Sequence, residues 1–198
     1  MANIFKTITE ELIGAGHAIR NYNSITWFKR NIAKLLNNRS AKAKVNKMAT
    51  PAIGKMFLMT YDAKHKDTLP YYDLYPLIFV VKLQTDGFIG LNLHYLAPAE
   101  RAKLFNALIK VDTNNPKMDE STRLKLTYRL ITRFSESRRA KVCVKKYLYS
   151  HVLNIGLIPP DEWVNSTFLP LEGFRRKNSR FSRVKVWNES SNKIKGQQ

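Results

Sequence analysis

The chain has 198 residues, 44% of them hydrophobic, enough for one domain with a core and too many for a wholly disordered polymer. Its 34 Lys and Arg against 15 Asp and Glu leave a net charge of +19 and a pI near 10.1, an excess that opposes compaction and favours a polyanionic partner. No apolar run approaches the roughly 20 residues that span a bilayer, Glu10 and Glu11 interrupt a secretory leader, and the lone Cys143 excludes an intrachain disulfide, so the chain reads as intracellular.

The charge is uneven. Residues 1–50 hold 9 Lys or Arg and 2 acids, residues 51–173 hold 17 and 12, and residues 174–198 hold 8 and 1. That is the pattern of a folded body with basic arms. The expected organisation is a basic helical arm and linker over 1–50, one α+β core domain over 51–173, and a basic tail over 174–198 whose end reads as disordered.

In the first 20 residues Ile4, Phe5, Ile8, Leu12 and Ile13 fall at helical spacing until Gly14 and Gly16. A second helix is expected over 24–36, with Ser24 as N-cap and Ile25, Phe28, Ile32 and Leu35 as its apolar stripe. Residues 39–50 carry Arg39, Lys42, Lys44 and Lys47 without an acid and read as a mobile or partner-ordered linker.

Residues 54–96 form the β-unit. The runs 55–61, 77–83 and 88–93 are short, apolar and bounded by turn residues, as strands are. Asp86-Gly87 favours the positive φ of a tight hairpin turn, so the second and third runs should pair antiparallel. Alternation sends Phe88, Gly90 and Asn92 to one face and Ile89, Leu91 and Leu93 to the other. The fold class is α+β: a small antiparallel unit, an open sheet or a small barrel, flanked by an N-terminal helical region and a C-terminal helical group.

That helical group opens at Pro98, suited to a first helical turn, with Ala102, Leu104, Phe105, Leu108 and Ile109 on the buried side. A loop over 112–117 precedes a helix ending near Phe134, striped by Leu124, Tyr128, Ile131 and Phe134, with Lys125, Arg129 and Arg133 on a neighbouring face. A further helix over about 136–152 would align Arg138, Lys141 and Lys145, with Arg139 and Lys146 beside them. Two such rows make a phosphate-tracking surface. Asp161-Glu162-Trp163 suggests a short helical turn burying Trp163, and Phe168, Leu169 and Leu171 a last apolar patch. The tail then interleaves Arg175, Arg176, Lys177, Arg180, Arg183 and Lys185 with Phe181 and Trp187, a composition that neutralises phosphates and offers rings to bases.

The catalytic alternative is a metal site on Asp62, His65, Asp67 and Asp73, with His94 nearby. The simpler reading is a polar loop between strands with His94 a hydrogen-bonded packing histidine, and it is preferred because a metal site needs convergent ligands that spacing does not show. Cys143 between two valines reads as a buried thiol. Tyr71, Tyr72 and Tyr75, set among Pro70 and Pro76, are either a stacking platform for bases or a rigid loop folded over the core. No P-loop, dinucleotide fingerprint or Ser/His/Asp order occurs. The reading is therefore non-enzymatic, with no cofactor, metal, small-molecule substrate or membrane partner.

Longer words sharpen this. The stretches Gly54-Lys-Met, Tyr61-Asp62, Lys66-Asp-Thr-Leu-Pro-Tyr-Tyr-Asp73, Pro76-Leu77, Gly87-Phe-Ile-Gly-Leu-Asn-Leu-His-Tyr-Leu96, Pro160-Asp-Glu-Trp163 and Phe168-Leu-Pro170 resemble the DNA end protector family of T4-like tailed bacteriophages, which are minor head proteins. The resemblance spans roughly residues 50–180. It implies a virion protein, present in the host cytoplasm during assembly and after injection, that binds the termini of packaged linear double-stranded DNA and shields them from host exonuclease. It also implies a part in head completion and tail joining, with other head and neck proteins as partners. Two alternatives differ in class: a structural neck protein whose basic surface meets acidic subunits, and a metal-dependent nuclease built on Asp62, Asp67 and Asp73.

Overall fold

A computed structural model describes residues 50–113, 120–137, 140–177 and 179–196. The two helices and the linker expected before residue 50, the loop residues 114–117, and Arg138 and Arg139 lie outside the described residues.

The three expected strands are present as β1 (Met56–Tyr61), β3 (Leu77–Gln84) and β4 (Gly87–Asn92), with the two-residue β2 (Tyr72–Asp73) between the first pair. β1 and β3 pair antiparallel, as do β3 and β4. Gln84 faces Gly87, so the hairpin loop is Thr85-Asp86 and Gly87 is already in the strand. The hairpin stands, but positive φ at Gly87 is not its cause: among the described residues only Gly54 and Lys177 have positive φ. Gly87 is needed for close approach, because a Cβ there would lie 2.0 Å from the Tyr147 carbonyl oxygen on the next strand.

That next strand is β5 (Val144–Leu148), and it corrects the expected helix over 136–152. Residues 144–148 pair antiparallel with β4, Leu91 opposite Val144 and Gly87 opposite Leu148. Tyr149–His151 form one 3-10 turn, and β6 (Val152–Ile158) then pairs with β1. The strand order is β5-β4-β3-β1-β6, so consecutive strands β5 and β6 lie on opposite edges of an open sheet. Four residue steps from Leu148 to Val152 reach about 14 Å at full extension, whereas five flat strands put their edges about 19 Å apart. The sheet must therefore curl while staying open, and β5 does bend over towards β1, the neighbour of the far edge: the Leu148 N–H donates to Tyr61 Oη at 3.3 Å, and Tyr61 and Tyr147 pack edge to face at 5.0 Å.

The curl explains why both faces of an antiparallel sheet are apolar. The concave side encloses Phe57, Met59, Tyr61, Ile78, Val80, Phe88, Tyr147 and Ile155. The opposite side carries Met56, Leu58, Leu77, Phe79, Leu91 and Leu93 and is covered by helices. These are α1 (Pro98–Thr113), α2 (Glu120–Glu136) and the short α3 (Trp163–Phe168), which contribute Leu104, Leu108, Ile131 and Trp163. Trp163 is buried as expected, edge-on to Phe79 at 4.9 Å with its Nε1 donating to Ile158 O. Cys143 is buried too, its Sγ donating to Ala140 O, and burial pushes the thiol up to about 12.

The chain after residue 173 departs from the expected tail. β7 (Phe174–Arg176) and β8 (Ser179–Arg180) build a second sheet, ordered β2-β7-β8, and α4 (Arg183–Lys195) follows. Phe174 and Val186 belong to the main core. Residues 188–195, read from sequence as disordered, continue a helix whose Val186 and Ser190 are buried one turn apart.

Candidate nucleic-acid interface

The basic hairpin of β7 and β8 is rooted in two buried carboxylates, each paired with a cation or an imidazole. Asp73 is fully buried. Its Oδ1 accepts the backbone N–H of Tyr75 and of Gly173, each at 3.1 Å, while its Oδ2 accepts Asn92 Nδ2 at 3.1 Å and meets His94 Nδ1 at 2.7 Å. Burial pushes this carboxyl up, but the His94 charge and the converging donors outweigh it and hold Asp73 below the ordinary carboxylate value. Next to it Glu172, also buried, accepts Arg101 Nη2 at 2.7 Å and Arg183 Nη1 at 3.5 Å. Here too burial raises the pKa and Arg101 overcomes it. The His94 carbonyl joins the two pairs by accepting Arg101 Nη2 at 3.3 Å and Trp187 Nε1 at 2.9 Å. Loop 71–75, the end of β4, α1, the root of β7 and α4 are thus tied to one polar node.

The reading of His94 as a hydrogen-bonded packing histidine holds. Its partner Asp73 leaves the metal-ligand set by being enclosed, while Asp62 pairs with Lys66 at 2.9 Å on the surface and His65 and Asp67 are exposed. Among the described residues no group of three or more His, Cys, Asp or Glu is placed to hold a metal ion.

The cations fall into three settings. On α2, Arg129 and Arg133 are exposed one turn apart, as the row predicted; the Lys125 side chain lies outside the described residues. The second row does not exist as a row. Lys141 is exposed in a turn, and β5 separates its two lysines by strand geometry. Lys146 reaches Asp86 at 2.8 Å, while Lys145 lies 4.5 Å from the centroid of the Tyr95 ring. Burial, with the charge of Lys193 adding to it, lowers the Lys145 pKa. The third setting is the hairpin. Arg175 pairs across from Arg180 and Arg176 from Ser179, whose Oγ donates to Arg176 O at 3.0 Å. Lys177 sits at the turn with φ 44°. Arg176, Lys177, Arg180 and Lys185 are exposed. Arg183 is half-buried between Glu172 and Trp187.

The aromatic candidates are brought together, but mostly with one another. Tyr71 stacks on Phe181 at 5.1 Å and 14° and contacts Tyr95 and Phe174. Burial, with Glu189 beside it, pushes the Tyr71 hydroxyl up to about 12. Tyr72 is buried in the concave core and Tyr75 packs against the main one. Trp187 carries the guanidinium groups of Arg101 and Arg183 at 5.5 and 5.7 Å. Of the two readings of loop 70–76, the rigid loop folded over the core is the one these contacts describe.

Sequence reasoning missed the node of Asp73, Asn92, His94, Arg101 and Glu172. Its only trace in sequence is that Asp73, Asn92 and His94 end or sit inside the longest of the quoted words.

One family, described as the phage T4 terminal DNA protecting protein, matches residues 1–190. Neither a curated protein nor a solved structure matches the chain.

Proposed function

The chain belongs to the phage T4 terminal DNA protecting protein family, and from that membership we propose that it binds the ends of packaged linear double-stranded DNA and shields them from host exonuclease. The observation that carries this reading is the match across residues 1–190. Supporting it are seven cations, Arg129, Arg133, Lys141, Arg176, Lys177, Arg180 and Lys185, each exposed. Lys125, Arg138 and Arg139 extend the proposed set, and residues 1–50 add nine Lys or Arg against two acids. Neutralising six to ten phosphates would make affinity fall about 10³- to 10⁵-fold between 50 and 200 mM salt, with little dependence on sequence. Protection by occlusion requires no bond to be broken, so the role is that of a non-enzymatic virion protein. It acts in the capsid and in the host cytoplasm after injection. A part in head completion and tail joining, with head and neck proteins as partners, belongs to the same reading and rests on the resemblance of the sequence words.

The test is exonuclease protection. Linear duplex is mixed with the purified chain, a processive end-dependent exonuclease is added, and a nicked circle of equal length competes for binding. Protection that survives excess circle is the expected result and establishes end preference. Protection abolished by the circle leaves a general DNA binder. Absence of binding at low salt would favour the neck protein that meets acidic subunits.

A further inference from the structure

The β7–β8 hairpin holds two arrangements that a merely structural hairpin avoids. Arg175 and Arg180 are directly opposite across the strands, a like-charge pair that weakens an antiparallel ladder. Lys177 occupies the left-handed region at φ 44°, where Gly or Asn sits without strain. A residue held in such a conformation is a pointer to function when its surroundings fix it there, and they do. The Gly173 N–H is held by Asp73, Phe174 is buried, Tyr72 pairs with Arg175, and the Phe181 N–H donates to Phe174 O at 2.9 Å. Among the described residues none of Arg176, Lys177 and Arg180 is paired with a carboxylate.

The partner chemistry follows from what is free and what is not. The cations point into solvent, whereas the neighbouring rings pack on each other, Tyr71 against Phe181, Tyr95 and Phe174. Unpaired nucleotides are held by stacking on accessible rings; a duplex presents phosphates at fixed spacing to a preformed set of cations, and its major groove admits a two-stranded ribbon. The geometry points to a preformed phosphate clamp: Arg176, Lys177 and Arg180 on the hairpin contact the backbone of double-stranded DNA, while Tyr71 and Phe181 brace the hairpin and leave the bases unread. This rests on the DNA-binding reading above and goes beyond it by naming the duplex backbone, not the unpaired bases of an overhang, as what this element holds.

The experiment titrates the full chain and a variant carrying R176S, K177G and R180S against a blunt duplex and a single strand of equal length, over a series of salt concentrations. Loss of three contacts should lower duplex affinity about a hundredfold near 0.15 M salt and reduce the slope of log K against log salt by about 2.7. Thermal melting should be unchanged or improved, since K177G relieves the left-handed lysine. The single variant K177G, which leaves the arginines in place, should lower the slope by about 0.9 without loss of stability. Equal duplex affinity and slope in variant and parent, with the parent binding, would overturn the clamp alone. A loss confined to the single strand would overturn the duplex assignment. A parent that fails to bind either DNA at low salt would overturn the clamp together with the proposed function.

Discussion

Asp73 shows how one residue can be decisive while looking ordinary in sequence. A carboxylate moved from water into a core is tolerated only when donors converge on it, and here two backbone N–H groups, an amide and an imidazole do so. Replacing it with Asn sets an amide NH2 where Oδ2 accepts Asn92 Nδ2 and meets His94 Nδ1, and Asp73→Asn should cost about 1–3 kcal/mol for each buried donor left unpaired. The pH dependence has a definite sign. Because the folded-state pKa is depressed, the stabilisation is fully present above the unfolded value near 4 and is lost as pH falls through the lower folded value. Urea unfolding at pH 7 and near pH 3 should show the parent losing more stability on acidification than the variant. The variant keeps a residual slope from Glu172, whose shift has the same direction. Equal losses in the two proteins would mean that the Asp73–His94 pair contributes nothing.

At the scale of elements, the C-terminal helix is the unexpected part, and it makes a testable claim. Among the side chains described in residues 183–195, Val186 and Ser190 are buried and Arg183 and Trp187 are half-buried, against a largely polar exposed surface. Deleting residues 183–198 removes a fully buried valine, worth about 1.5–3 kcal/mol, and with it the Trp187 bond to His94 and the Arg183 contact with Glu172. Unfolding followed through Trp163 fluorescence should shift by at least that amount; an unchanged midpoint would show α4 to be a dispensable tail. The same helix shows what the sequence conceals. β1, β3 and β4 were legible because each is a compact apolar run closed by turn residues, and Pro98 and the Leu124–Phe134 stripe marked α1 and α2. β5 was not legible. Lys141, Lys145 and Lys146 recur at spacings that suit a helix face, and the feature that makes residues 144–148 a strand, the room that Gly87 leaves beside Tyr147, lies far away in the chain. The basic residues were legible as a class because charge is visible in composition. Their grouping was not, since whether a lysine lacks a carboxylate among the described residues, as Lys177 does, or is matched, as Lys146 is to Asp86, depends on tertiary neighbours.

For the whole molecule, a net charge of +19 on 198 residues means that the protein and its complex should respond to salt in opposite ways. In the free protein the cations repel one another in the compact state, and added salt screens that repulsion over roughly 8–10 Å near physiological strength. The melting temperature of the free chain should therefore rise as NaCl is added. In the presence of duplex DNA the folded state gains RT ln(1 + [L]/Kd), about 2.7 kcal/mol when free DNA is a hundred times the dissociation constant. Salt weakens that dissociation constant steeply through counterion competition. The melting temperature of the complex should start well above that of the free chain at low salt and fall towards it as salt rises, even while the free chain climbs. Paired melting curves with and without a short blunt duplex, taken across one salt series, check this directly. Convergence of the two curves is expected if the excess charge is there to meet DNA. Parallel curves would show that the DNA adds no salt-sensitive stabilisation, and the positive charge would then have to be matched to a partner other than the phosphate backbone.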